Sequence, residues 1–279
     1  MKKIIAAFDG LRFSQDTLEE AIDLSRHHDA HLVGVFLPEF VHAGFVVFET
    51  VETLSYAGGR EQVERLHRQD AAVLKESIAR FEKACQGAGL QHTVHSEKDF
   101  ALKALLHESV FADLLLIDRR ETFSSLEEKV PGAFLKSLLH DLACPAWIIA
   151  KKTVPVSKMI FLYDGGVPSA YAMKMFTYLF PDMTHKDVEV LSFTMDTQNL
   201  HVPDHRLVHE WMKRHYPHAL FKVVPGGRAE LLALLREEGP GTVVITGSYA
   251  RSRWSNWLLP SLSDELMQES KTPVFIAHT

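Results

Sequence analysis

Short apolar runs alternate along this chain with longer segments in which apolar positions recur every three or four residues. The first run, in Lys3 to Gly10 (KIIAAFDG), is a basic residue, mostly apolar residues and then Asp-Gly. A run of that length predicts a buried strand. Ser14 is placed to cap a following helix whose inner face carries Leu18, Ala21, Ile22 and Leu24. A second strand is predicted over His31 to Leu37. The same phrase then returns at Lys158 to Gly165 (KMIFLYDG), with Ser169 as the expected cap before Ala172, Met175, Phe176 and Leu179, and a strand over Asp187 to Phe193. Later elements also match. Ala112 to Ile117 and Thr242 to Thr246 read as strands. Helices around Phe134–Asp141 and Leu262–Glu269 lead into Leu142 to Ala150 (LACPAWIIA) and Ser270 to Ala277 (SKTPVFIA), each with a proline at the strand entrance.

The chain is therefore a repeat. Strands alternating with helices predict an α/β fold, each copy a five-stranded, mostly parallel sheet flanked by helices. The expected domains are residues 1–152 and 157–279, joined across Lys151 to Ser157 (KKTVPVS). Only the first copy has an extra apolar and aromatic stretch, Pro38 to Tyr56, ahead of a long helix from about Gly59 to Ala88. Val63, Leu66, Leu74, Ile78, Phe81 and Cys85 keep helical spacing there, and Gly87 and Gly89 end it. The stretch reads as a packed crossover loop, or else as a ligand cover or subunit contact.

Composition narrows the chemistry. With 279 residues, 46% of them hydrophobic, the chain can build proper cores. A net charge of −6 disfavours nucleic acid as a partner, since phosphate binding needs a basic field. The two cysteines, Cys85 and Cys144, form neither a disulfide framework nor a metal knuckle. The first apolar run is too short for a leader, and no segment reaches the roughly 18 apolar residues that span a bilayer. The expectation is a soluble, cytoplasmic protein without membrane contact. Sixteen histidines raise the question of metal. His205 and His209 would share a helix face at zinc-ligand spacing, with His201 before them, but without further ligands the preferred reading is a solvated face and no metal. His92 and His95 point to opposite faces of a strand. There is no Gly-x-Ser-x-Gly elbow and no acid/base pair, so no catalytic residue is assigned.

With Asp9 and Asp164 closing the first strand of each copy, and Pro145 and Pro273 opening the last, the chain resembles the universal stress proteins in tandem form. The resemblance implies two Rossmann-like domains of the adenine-nucleotide α-hydrolase type. Nucleotide-binding members carry, after the fourth strand, a glycine, two residues, a glycine, nine residues, a glycine, then serine or threonine. Glycines let the backbone approach phosphate, and the N–H groups of the following helix start supply donors. In the second copy these positions hold Gly247, Ala250, Pro260 and Ser261, with Ser248 next to the first. In the first copy, aligned through Pro145 and Pro273, they hold Arg119, Thr122, Gly132 and Ala133. Pro260 has no N–H to donate. Arg119 either neutralises a phosphate or plugs the pocket, and Arg251 and Arg253 can pair with an anion.

The resemblance also marks Asp9 and Asp164 for the base or ribose, and Val35 and Phe193 for backbone contacts to adenine. Each aspartate can equally serve as a strand-end cap. The function implied is that of a non-enzymatic stress-response protein binding ATP or another adenine nucleotide through its second copy. The alternative is an interaction or carrier protein, with vestigial loops and an apolar small ligand near the first-copy insert. Slow nucleotide hydrolysis stays open as a third reading. The resemblance further implies an internal pseudo-dimer and leaves room for a homodimer.

Overall fold

The computed structural model describes residues 1–37, 59–96, 101–123, 129–150, 154–195, 198, 200–247, 262–269 and 271–277. The apolar stretch 38–56 and the start of the linker lie outside them. The chain divides into two compact units, Lys2–Leu138 and Leu139–Thr279, the latter joined by Met1. The fold is α/β, with mostly parallel sheet flanked by helices.

The first unit holds β1 (Lys3–Asp9), α1 (Gln15–His28), β2 (His31–Leu37), α2 (Gly59–Gly87), β3 (His92–Ser96), α3 (Ala101–Ser109), β4 (Leu114–Asp118) and the start of α4 (Ala133–Asp141). Its strands run in the order β3-β2-β1-β4, all parallel. Ile4 to Phe8 and Leu114 to Ile117 are wholly buried, as strands covered on both faces must be. Ser14 caps α1 as expected, its hydroxyl oxygen accepting from the Thr17 N–H at 3.2 Å. Gly34 of β2 is needed for packing: a Cβ there would stand 2.7 Å from the ring of Phe81. Phe81 and Cys85 seat the end of α2 on the sheet, and Phe81 meets Phe8 and Phe36 edge-on.

The second unit contains the rest of α4, then β5 (Ala146–Ile149), β6 (Lys158–Leu162), α5 (Val167–Leu179), a 3-10 turn (Pro181–His185) and β7 (Asp187–Thr194). It continues with α6 (His205–His215), β8 (Leu220–Pro225), α7 (Arg228–Arg236), β9 (Thr242–Gly247), α8 (Leu262–Glu269) and β10 (Val274–Ala277). The strand order is β8-β7-β6-β9-β10-β5. All pairs are parallel except β10 with β5, where Phe275 lies opposite Trp147. The last strands of the two sequence copies thus pair with each other. Trp147, Phe161, Phe176, Phe180 and Phe275 form the aromatic core of this unit, and the buried Tyr216 hydroxyl lies 2.9 Å from Thr177 Oγ1. One detail differs from the sequence reading. Helix α5 starts at Val167 with Gly166 as its cap, because Pro168 suits a first helical turn, and Ser169 falls inside that turn.

Duplication shows in charges as well as strands. Lys3 opens β1 and pairs with Glu108 of α3 at 3.5 Å; Lys158 opens β6 and pairs with Glu238, just after α7, at 2.7 Å. Lys158 also reaches Glu189 at 3.1 Å. Among the described residues no helix is long and apolar enough to cross a membrane. Phe176 is fully buried, with ring centroids 4.7 Å from Phe180 and 5.1 Å from Phe275. Phe176→Ala is expected to lower unfolding free energy by about 3–5 kcal/mol. Urea denaturation followed by circular dichroism checks this; a loss below about 1 kcal/mol would show that the aromatic cluster is not the core.

Candidate functional site

In a sheet of order 3-2-1-4 the chain reverses direction between strands 1 and 4, and their carboxyl ends open a crevice where ligands bind. Each copy has this crevice, at β1/β4 in the first and β6/β9 in the second. The two are lined very differently.

Three carboxyl groups are buried at the first. Asp9 ends β1 at 1% exposure, Asp118 ends β4 at 2%, and Glu121 comes three residues later at 8%. Buried carboxylates need partners, and this copy supplies arginines. Asp9 accepts from the Leu11 N–H through Oδ1 and from Arg12 Nε through Oδ2, both at 2.9 Å. Asp118 takes Arg120 in a fork, from Nε at 2.9 Å and from Nη2 at 2.6 Å, and accepts the Arg120 N–H at 2.8 Å as well. Ser14 donates to Asp118 at 3.3 Å. Both Asp9 oxygens are engaged inside the protein. Val35 sits inside β2 at 1% exposure, in register between Ala7 and His95, two residues short of the strand end. Phe123, at a left-handed φ of 46°, packs on Phe134 with centroids 4.6 Å apart and closes over the same end.

Arg119 is half-buried, and that burial lowers its pKa, opposed by the nearby Asp118. The strand ladders correct its alignment. Ile4 pairs with Leu114, and Met159, the equivalent residue of β6, pairs with Val243. Counting four residues on from each, Asp118 stands where the second copy has Gly247, so Arg119 corresponds to Ser248. Alignment from the distant prolines is therefore one residue out at this strand end. The first copy thus has a buried aspartate at the position of the leading glycine.

The second copy presents its aspartate differently. Asp164 is exposed, and its Oδ1 accepts from the Gly166 N–H at 2.8 Å and the Ser169 hydroxyl at 2.6 Å. Among the described residues its Oδ2 has no partner. Val167 stands in place of Arg12, so the covering arginine of the first copy has no counterpart at that position. Gly165 has a φ of +82°, and a Cβ there would lie 2.6 Å from Pro203. Gly247 serves packing: a Cβ on it would stand 2.3 Å from the Pro168 carbonyl carbon and 2.4 Å from the Ser169 nitrogen. The start of α5 therefore rests directly on the end of β9. Phe193 is 38% exposed near the end of β7, followed by Met195 at 78%. Gly226, with φ +113°, and Gly227 lead into α7, where Glu230 Oε2 takes the Gly227 N–H at 2.7 Å. Burial, together with Asp204 and Asp164, raises the pKa of the Tyr163 phenol beneath. Asp164, Phe193 and Gly247 thus share the carboxyl end of one sheet. Ser248, Ala250 and Ser261 lie outside the described residues, as do Arg251, Arg253 and Pro260.

Sequence reasoning missed Asp118, Glu121 and Arg120. The signal was present in IDRRE (117–121), an acid-arginine cluster at a strand end, but it was read only as a degraded glycine loop. The His205/His209 pair also differs from a solvated face. The imidazole of His209 lies between His205, centroid distance 4.0 Å, and Phe221, 3.5 Å.

No family model matches the chain, and no curated protein matches it. Solved structures do. A universal stress protein from Archaeoglobus fulgidus aligns with TM-score 0.66 and 14% identity, over 99% of this chain and 98% of that one. A putative universal stress protein from Pseudomonas aeruginosa aligns with TM-score 0.61 and 10% identity, over 100% and 93%. The cytoplasmic domain of a prokaryotic cation chloride cotransporter aligns at TM-score 0.53 and 7% identity, over 99% and 94%. The protein has the fold of the universal stress proteins.

Burial, then repulsion from Asp9 and Asp118, lifts the Glu121 pKa to about 8, against attraction from Arg12. The unfolded chain releases this proton near the ordinary glutamate value of about 4.3. Folded protein therefore binds more protons between about 4.3 and 8, and Glu121 makes stability fall as pH rises through that window. Glu121→Gln is expected to flatten this fall and raise stability at pH values near 8, as read from urea midpoints across a pH series. A wild-type slope retained in the variant would refute the assignment.

Proposed function

We propose that the protein is a non-enzymatic stress-response protein of the universal stress type, which binds an adenine nucleotide at the β6/β9 crevice. The observation carrying this reading is the contrast between two equivalent aspartates. Asp9 is buried with both oxygens engaged, whereas Asp164 is exposed with one oxygen unengaged among the described residues. A carboxylate presented at the switch point beside the apolar Phe193 and Met195 suits a ligand with a hydroxylated sugar and a flat base. The first crevice, filled by Arg12 and Arg120, is read as structural. Ser248, Ala250 and Ser261 are assigned to the phosphate side of the second site, with no metal required. Val35 and Asp9 are assigned no ligand contact under this reading, despite the family resemblance. Regulation through binding, in the cytoplasm, is the proposed mode of action.

Calorimetric titration with ATP, ADP and AMP tests the site. One nucleotide per chain is expected, with Asp164→Ala weakening binding by about tenfold or more, as for loss of a charged hydrogen bond. Flat titrations at millimolar nucleotide, together with no adenine nucleotide extracted from natively purified protein, would overturn the proposal. A phosphate-release assay is expected to stay at background.

A further inference from the structure

Helix α6 begins with little to hold it. Its cap residue, Asp204, sits in left-handed backbone (φ 43°, ψ 38°) and makes no side-chain cap hydrogen bond. For a residue with a Cβ this conformation is uncommon and costs energy. Val202 and Val208 are buried nearby, and Pro203 between them packs on Gly165. The remaining anchor is a layered stack. His205 lies on His209, with centroids 4.0 Å apart and planes 37° apart; His209 lies on Phe221 of β8 at 3.5 Å and 16°. His201 stands edge-on to His205 at 6.4 Å. The Nε2 of His209 is buried and has no hydrogen-bond partner in the structure.

Neutral imidazoles suit such a stack best. Two imidazolium rings at this spacing repel, and a buried Nε2–H without an acceptor is costly. Groups facing the stack do not offset that charge. From α6 itself Glu210 and Lys213 carry opposite signs and line a cavity of about 280 Å³ beside His209, with Met212, Tyr216 and Phe221. The preceding segment brings His201 and Asp204, β8 brings the apolar Phe221 flanked by Lys222, and the turn between α6 and β8 carries His218. Among the described residues neither His205 nor His209 forms an ion pair. Burial, and then the charge of His205, lowers the His209 pKa below its ordinary value. Its neutral form therefore adds stability above about pH 6.5, and this is lost as pH falls toward the lowered value.

We infer that the His205–His209–Phe221 stack is an acid-sensitive latch: protonation releases the first turn of α6, and with it the hold of Pro203 on the Asp164–Gly165 turn. The connection is steric and direct, since Pro203 precedes α6 by two residues and contacts Gly165 on its other side. The latch is a property of the free protein and does not depend on nucleotide being the ligand.

Hydrogen exchange of the full chain, corrected for intrinsic rates and compared between pH 7.5 and 5.5, tests it. In wild type, protection of peptides spanning residues 200–209 and 163–167 should fall by about threefold or more, while β1 stays unchanged. His209→Phe keeps an aromatic ring in the stack without a titrating group, and should remove the response in both peptides. His205→Gln, on the exposed side, should reduce it and serves if His209→Phe does not fold. A wild-type chain with pH-independent protection at both peptides overturns the inference, as does a full response persisting in the variants that fold.

Discussion

A carboxylate at the end of a buried parallel strand must be answered, by a cation, by N–H groups or by water. Both copies of this chain place an aspartate there, and their subsequent structure turns on which answer is given. At Asp9 the answer is internal. Leu11 and Arg12 take both oxygens, and Arg120 does the same for Asp118 across the crevice. At Asp164 the Gly166 N–H and the Ser169 hydroxyl take one oxygen, and among the described residues the other has no partner. One repeated phrase, KxxxxxDG, thus builds a charge-filled end in one copy and an open one in the other.

Close packing obeys the same division. Gly247 lets α5 rest on β9, with Pro168 where a side chain would otherwise stand. The first copy has Asp118 at that register, and a carboxylate cannot be sunk under a helix start without a partner, so its strand end is built from ion pairs. The acid group Glu121 is then buried, beside the like charges of Asp9 and Asp118, and stays protonated well above the usual carboxylate range. Fold similarity to universal stress proteins at 14% identity and below is compatible with this freedom. The sheet constrains where apolar residues fall and leaves the strand ends to vary.

Much of the architecture was legible in the sequence because it rests on local periodicity. The duplicated phrase, the caps and the prolines at strand entrances locate β1, β6, β5, β10 and the helices before the last strands to within a few residues. β8 was not located as a strand, because LFKVVP is short, half-exposed and only partly apolar. Helices α3 and α7 went unremarked as well.

The candidate site was less legible. Sequence alone determined that an aspartate ends β1 and another closely follows β6, that a glycine ends β9, and that arginines sit within IDRRE. Tertiary structure decided which aspartate is buried, that Asp118 rather than Arg119 takes the position of Gly247, and that His209 is held between two rings instead of lying in solvent. The physical reason is the range of the interactions. Strand and helix tendencies are set by neighbours a few residues away, whereas the state of a carboxylate or an imidazole depends on what distant segments bring within a few ångströms of it.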